Sequence, residues 1–325
     1  MKYHIDITKP PIFPPEKEFR KTLFGVKETK ISKVKTKTWE SYFKAYKERL
    51  FIARNERKER QFYNQNTGTI TQFRGASVDI HVFFSKVRNE IVKVNWGEIK
   101  NDNKTDKPES YRRGFDNWIK ACEPFVKKSS TVLDIGAYNG DTALPLAFLV
   151  GESGKVLAFE PNQKTYSSLS VNSLINPEVN LKTFNFGIAE ESKEYNFRYQ
   201  NNYTTGGIDL PTLITHETGE FPEKAIFKCR NLNDFLKEEG VSWSDINLIK
   251  TDIDGYDCEL LWSLRNELRK HKPVIIIEWL PGYEDDLNEI KDFLTCKSIS
   301  FETGNEIEIF PGEKTVDIIL VPENL

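Results

Sequence analysis

The sequence predicts an α/β fold from about residue 106 onward. It should be a mostly parallel sheet with an antiparallel C-terminal edge, preceded by a basic, mainly helical region. Three observations lead there. Short apolar runs alternate with helical segments after residue 130. Glycine-rich turns bearing acids follow the ends of those runs. The charge also changes sign along the 325 residues: residues 1–130 hold 29 Lys and Arg against 16 Asp and Glu, and residues 131–325 hold 17 against 33. The formal net charge of -3 therefore hides two oppositely charged parts. We divide the chain into a basic accessory region, 1–105, and an α/β domain, 106–325.

The elements follow in order. Residues 1–38 are rich in Lys and Pro and read as an extended arm. Trp39, Tyr42, Phe43, Tyr46, Leu50 and Phe51 recur at helical spacing with basic residues between them. Such a face suits docking on the rest of the protein; a surface for nucleic acid is the alternative. Residues 76–98 give a short alternating piece (Val78, Ile80, Val82) and then a helix, and 101–109 a linker. Tyr111, Phe115, Trp118, Ile119 and Cys122 mark an amphipathic helix. Strands are expected at 131–135, 156–160, 180–184, 246–252 and 273–279, and helices at 141–150, 163–175, 231–239, 256–270 and 284–295. Strand–helix alternation of this kind calls for right-handed crossovers in a parallel sheet. The C-terminal stretch from Ser298 to Pro322 reads as strands joined by turns.

Several classes are excluded. At 38% hydrophobic residues the chain can bury a core. Its longest apolar runs, 143–150 and 274–280, fall short of the roughly 20 residues of a membrane span. The N-terminus lacks the apolar stretch of a secretory signal. Cys122, Cys229, Cys258 and Cys296 are widely spaced, against a disulfide framework or zinc site, so a reducing, cytoplasmic setting is expected. No local metal motif is visible.

Four motifs carry chemistry. In VLDIGAYNGDTA, 132–143, a strand ends at Asp134 and a turn with Gly136 and Gly140 leads into a helix near Thr142. Ligands of open α/β sheets bind at such strand ends, and glycines admit close backbone approach. Tyr138 and Asp141 occupy the second and third glycine positions of the dinucleotide fingerprint, so a pyrophosphate loop is absent. A nucleoside ligand without phosphates fits better, S-adenosylmethionine being the common one. Ala137 and Asn139 complete the loop. In AFEPN, 158–162, Glu160 ends the next strand, 24 residues after Gly136, where a carboxylate can accept from both ribose hydroxyls; Pro161 and Asn162 follow it. In NFGIAE, 185–190, Asn185, Phe186 and Gly187 would cover the base. In LIKTDIDGYDCELL, 248–261, Asp252 closes a strand and Asp254 sits in the turn; Asp254 or Asp257 suits capping of the following helix.

Together these residues resemble the FkbM family of S-adenosylmethionine-dependent methyltransferases, over about 110–325. The family pattern is met by DIGAYNG, AFEPN, the spaced Asn172 and Asn176, and KTDIDG, with Glu278 in VIIIEW as the strand-five glutamate. Asp254 stands where the family usually has Glu. The resemblance implies a Rossmann-like class I methyltransferase fold, S-adenosylmethionine as cofactor, and methyl transfer to oxygen or, less often, nitrogen. Asp252 is the first candidate base, followed by Asp254, Glu278 and His216, the last in a long polar insert at 198–224 that would form part of a lid. The carboxylates Asp252, Asp254 and Glu278 also suit a divalent ion, a less favoured reading. The acceptor is expected to be a sugar, glycan or other small molecule. A nucleic-acid 2′-hydroxyl gripped by the basic region is the alternative, and a cofactor-binding module without turnover is a third.

Overall fold

A computed structural model describes residues 19–22, 25–28, 71–72, 79–85, 90–95, 108–176, 178–199, 206–209, 223–310 and 316–323. The chain divides into two compact units, one of residues 1–113 with 170–177, the other of 114–169 with 178–325. In the first, β1 (Phe19–Thr22) pairs antiparallel with β2 (Gly25–Glu28), and β3 (Thr71–Gln72), β4 (Asp79–Ser85) and β5 (Glu90–Asn95) form an antiparallel sheet. The helix expected after Val82 is thus replaced by strands. Phe83 faces Val92 and Ile80 faces Asn95 across the pair, so alternation continues through the stretch. The aromatic-faced helix expected at 39–51 lies outside the described residues.

The second unit is built on a seven-stranded sheet. Its strands are β6 (Thr131–Ile135), β7 (Lys155–Phe159), β8 (Leu181–Phe184), β13 (Ile246–Thr251), β14 (Val274–Trp279), β15 (Cys296–Ser300) and β16 (Val316–Pro322). They lie in the order β15-β16-β14-β13-β6-β7-β8. β16 alone among them runs antiparallel, to both neighbours. The antiparallel member expected at the C-terminal edge therefore sits one place inside it. Every residue of β6 and β13 is buried, as a strand covered on both faces requires.

The helices fall close to their expected bounds. They are α1 (Pro108–Cys122), α2 (Ala143–Val150), α3 (Gln163–Ile175), α4 (Leu232–Glu238), α5 (Asp257–His271) and α6 (Glu284–Leu294). α2 is apolar all round and wholly buried. Asn231 caps α4 by accepting from the Asp234 N–H. Leu133, Ile135, Phe159, Ile249 and Phe235 are among the core residues, each at most 1% exposed.

A four-stranded sheet flanks the stretch read as a polar insert, 198–224, of which residues 198–199, 206–209 and 223–224 are described. It orders β11 (Gly206–Ile208), β10 (Lys193–Tyr199), β12 (Glu223–Asn231) and β9 (Gly187–Ala189). Tyr195 and Phe197 alternate with exposed Glu194, Asn196 and Arg198, so one face is apolar. No helix among the described residues is long and apolar enough to cross a membrane.

Replacing Leu133, which is fully buried in β6, by Ala is expected to cost about 2–5 kcal/mol of unfolding free energy. Urea titration should show a lower midpoint at an unchanged slope.

Candidate functional site

The strand order reverses between β6 and β13, and the loops that leave their carboxyl ends meet there. The Asp252 N–H donates to the Ile135 carbonyl at 3.1 Å. Gly136 has φ of +79°, and a Cβ on it would stand 1.9 Å from the Asp252 carbonyl oxygen. No other residue fits. The Gly136 and Ala137 N–H groups donate to the Phe159 carbonyl at 3.1 and 3.0 Å, which ties the loop to β7. Gly140 closes the turn by donating to the Ala137 carbonyl at 2.7 Å, and Asn139 Oδ1 accepts from the Asp141 N–H at 3.1 Å.

Beneath this loop lies Lys250, a charged residue in the middle of the most buried strand. Its Nζ donates to the Gly136 carbonyl at 3.1 Å and stands 3.2 Å from Asp252 Oδ2 and 3.4 Å from Asp134 Oδ1. Thr142 Oγ1 donates to the other Asp134 oxygen at 2.7 Å. Burial alone would lower the Lys250 pKa, but Asp252, Asp134, Asp141 and Asp317 outweigh it and hold the ammonium charged. Burial pushes the Asp134 carboxyl up, and Lys250 opposes it.

Glu160 closes the other side. Its carboxylate accepts from the Tyr138 N–H at 3.0 Å and the Asn162 N–H at 2.8 Å. It is buried, and that burial raises its pKa to about 7 against those hydrogen bonds. Tyr138 has φ of +47°, a left-handed conformation uncommon outside Gly, and its N–H is thereby presented to Glu160.

Past β13 the chain turns through Ile253, Asp254 (φ +51°) and Gly255 (φ +98°). Asp257 organises the turn: it accepts from Thr251 Oγ1 at 2.6 Å and from the Ile253 and Gly255 N–H groups at 3.2 and 3.3 Å. Strand β11 rests on this turn. A Cβ on Gly207 would approach the Ile253 carbonyl oxygen to 2.7 Å. Glu278 on β14 is aligned with Asp317 on β16. Burial, then Asp252, Asp254, Asp257 and Asp317, push the Glu278 carboxyl far up, toward its protonated form.

These loops enclose a cleft of about 400 Å³. Gly136, Tyr138, Thr142, Glu160, Pro161, Asn162, Gly187, Asp252 and Asp254, all named from the motifs, line it. Asp134, Ala137 and Asn139 are buried beneath, shaping the loop. Asn185 and Phe186 depart from expectation. The Asn185 amide donates to the Glu160 and Pro161 carbonyls at 3.0 and 3.1 Å. The Phe186 ring packs among Phe159, Phe184 and Phe235, with the Arg230 guanidinium 5.4 Å from its centre. It belongs to an aromatic cluster that stabilises this end of the sheet; Gly187 and Ile188 line the cleft instead. Glu278 lines a neighbouring cavity of about 10 Å³ with Asp257 and Trp279. His216 lies outside the described residues. Among the described residues no group of three or more His, Cys, Asp or Glu is arranged to hold a metal ion.

Sequence reasoning gave no site role to Lys250, although KTDIDG begins with it, nor to Asp317, Trp118, Phe197, Phe227 and Tyr256, all of which line the cleft. Lys250 did carry a signal, as the lone charge inside the apolar run NLIKT. Trp118 and Asp317 come from elements distant in sequence and carried none.

The strand order, the single antiparallel strand and the glycine loop at the point of reversal define a Rossmann-like domain of the class I methyltransferase type. The FkbM methyltransferase domain matches residues 134–302, and the chain belongs to that family. Among solved structures it is similar to an FkbM methyltransferase from Methylobacillus flagellatus, at 13% identity and a TM-score of 0.37, covering 65% of this chain and 54% of that one. The chain thus spans about half the length of that relative. It is also similar to an S-adenosylmethionine-dependent methyltransferase from Aquifex aeolicus (14% identity, TM-score 0.34, 64% of this chain and 91% of that one). A third is a 16S rRNA N2 G1207 methyltransferase of T. thermophilus in complex with AdoMet and guanosine (12%, 0.38, 75% and 51%). No curated protein matches the chain in sequence.

Replacing Lys250 by Met strands a buried Asp134 carboxylate and is expected to cost about 3–5 kcal/mol in urea unfolding. The cost should shrink in the Asp134→Asn, Lys250→Met double variant. Additive costs would show that the two side chains are not coupled.

Proposed function

We propose that this chain transfers a methyl group from S-adenosylmethionine to a hydroxyl of a sugar, glycan or other small molecule. The observation that carries the cofactor assignment is Glu160, a carboxylate fixed by two backbone N–H groups at the wall of a cleft of about 400 Å³. That volume suits a nucleoside-sized ligand. Gly136 lets the glycine loop close onto the Asp252 carbonyl at the cleft wall, and Glu160 would hold the ribose. When bound, the cofactor supplies a methyl group on a good leaving group. The chain's residues must then align the acceptor and take up its proton. Alignment contributes roughly 7–11 kcal/mol and a positioned base about 10²–10⁴-fold.

Asp252 is the proposed base. It lines the cleft, is part-exposed, and is steadied by Lys250. Glu278, whose carboxyl burial pushes far up, is less suited to the role and lines the neighbouring small cavity. Asp254 presents a second carboxylate from the adjoining turn. A nucleic-acid acceptor fits less well, because five carboxylates and one lysine line the cleft among the described residues, a poor surface for phosphates.

Calorimetry with S-adenosylmethionine tests Glu160. Ribose hydroxyls donate to the ionised carboxylate, whereas the ligand-free protein binds a proton there up to about pH 7. Affinity should therefore be level at alkaline pH and fall as pH drops below 7, approaching about tenfold per unit. Glu160→Gln should bind weakly at every pH; retained affinity with an unchanged profile would remove the ribose role. Asp252→Asn should still bind S-adenosylmethionine measurably while product formation falls about 10²-fold or more, well beyond any loss of affinity. The assay is labelled-methyl transfer to pooled sugars, glycans and RNA. Transfer to RNA alone, lost steeply with salt, would overturn the acceptor class; cofactor binding without transfer to any pool would favour a non-catalytic module.

A further inference from the structure

The charges around the cleft are unbalanced in a way the cofactor's ribose does not account for. Asp141, Glu160, Asp252, Asp254 and Asp317 line it against Lys250 alone among the described residues. The lysine offers nothing to a ligand, because its ammonium is already committed to Asp134, Asp252 and the Gly136 carbonyl. The acids therefore project a net negative potential into a site with low-dielectric walls, where such fields act strongly. Their mutual repulsion is visible: burial, then Asp252, push the Asp317 carboxyl up to about 6, against Lys250.

Aromatic residues line the same space. Trp118, Phe197, Phe227 and Tyr256 reach it from α1, the small sheet and the turn after β13. Ring faces attract cations through their quadrupoles. Carboxylates among aromatic rings form the chemistry that recognises a delocalised or alkylated cation. Asp317 adds to it from β16, beyond the 134–302 segment that matches the family.

We propose that this acidic, aromatic-lined cleft selects for positive charge on the cofactor's sulfur, so that the protein holds the methylated sulfonium more tightly than the neutral thioether left after transfer. The proposal rests on the cofactor assignment above. It gives the site a means of releasing spent cofactor: the charge that attracts the ligand leaves with the methyl group.

The test is calorimetry at pH 8 with three probes: S-adenosylmethionine, S-adenosylhomocysteine, and sinefungin, which carries an amine in place of the methylsulfonium. The two cations are expected to bind about tenfold or more tightly than the thioether. Asp317→Asn should narrow that ratio about threefold or more while changing thioether affinity little; Asp254→Asn serves as a second variant should Asp317→Asn not fold. Equal or tighter binding of S-adenosylhomocysteine by the unaltered protein overturns the proposal and leaves the cofactor assignment standing. So does an equal loss for all three probes in the variants. Failure of all three to bind the unaltered protein overturns the cofactor assignment itself.

Discussion

Lys250 sits where no exposed lysine could serve. It lies in a strand whose six residues are all buried, and its ammonium reaches Asp134 in β6, the Gly136 carbonyl in the glycine loop and Asp252 at the end of its own strand. An ammonium in such a place costs several kcal/mol to desolvate and is tolerated only with partners on every side. The converse holds for Asp134, which is fully buried. Each makes the other possible, and between them they set the spacing of the two loops that open at the strand reversal. Gly136 against the Asp252 carbonyl is the steric half of the same constraint.

From that junction the rest of the cleft follows. The loop after β6 is held to β7 through the Phe159 carbonyl, and this places the Tyr138 N–H on Glu160. The turn after β13 is held by Asp257, and this places Asp252 and Asp254 on the cleft wall and carries β11 above them. Several acids converge because four strand ends and one antiparallel strand open on one rim. Burial, and then their crowding, pushes the Glu278 carboxyl up, and the acids leave the rim negative.

Much of this was legible in the sequence because buried parallel strands are written as continuous apolar runs: TVLDI at 131–135 and the six residues from Val274 to Trp279 both fall within a residue of the strands they predict. The glycine loop was legible because the positive φ of Gly136 and Gly140 restricts residue type, and Glu160 because an acid stands directly after an apolar run. The 79–95 hairpin was not, since VFFSKVRNEIVKV supports either period until a partner strand decides between them. Phe186 was misplaced because a ring beside a cleft and a ring in a core cluster look alike in sequence. Asp317 was invisible for a topological reason: it reaches the site only because β16 inserts between β14 and β15.

The seat of β11 has a consequence for how such enzymes diversify. The small sheet touches the acid-bearing turn through a residue with no side chain, Gly207, over the backbone of Ile253 and Asp254. Side chains join the same contact: the Tyr195 ring lies 6.5 Å from the Tyr256 ring, and the Glu190 N–H donates to the Tyr256 hydroxyl at 3.4 Å. Any side chain at 207 would meet that backbone, so this glycine limits how the small sheet can be altered without lifting β11 off the turn.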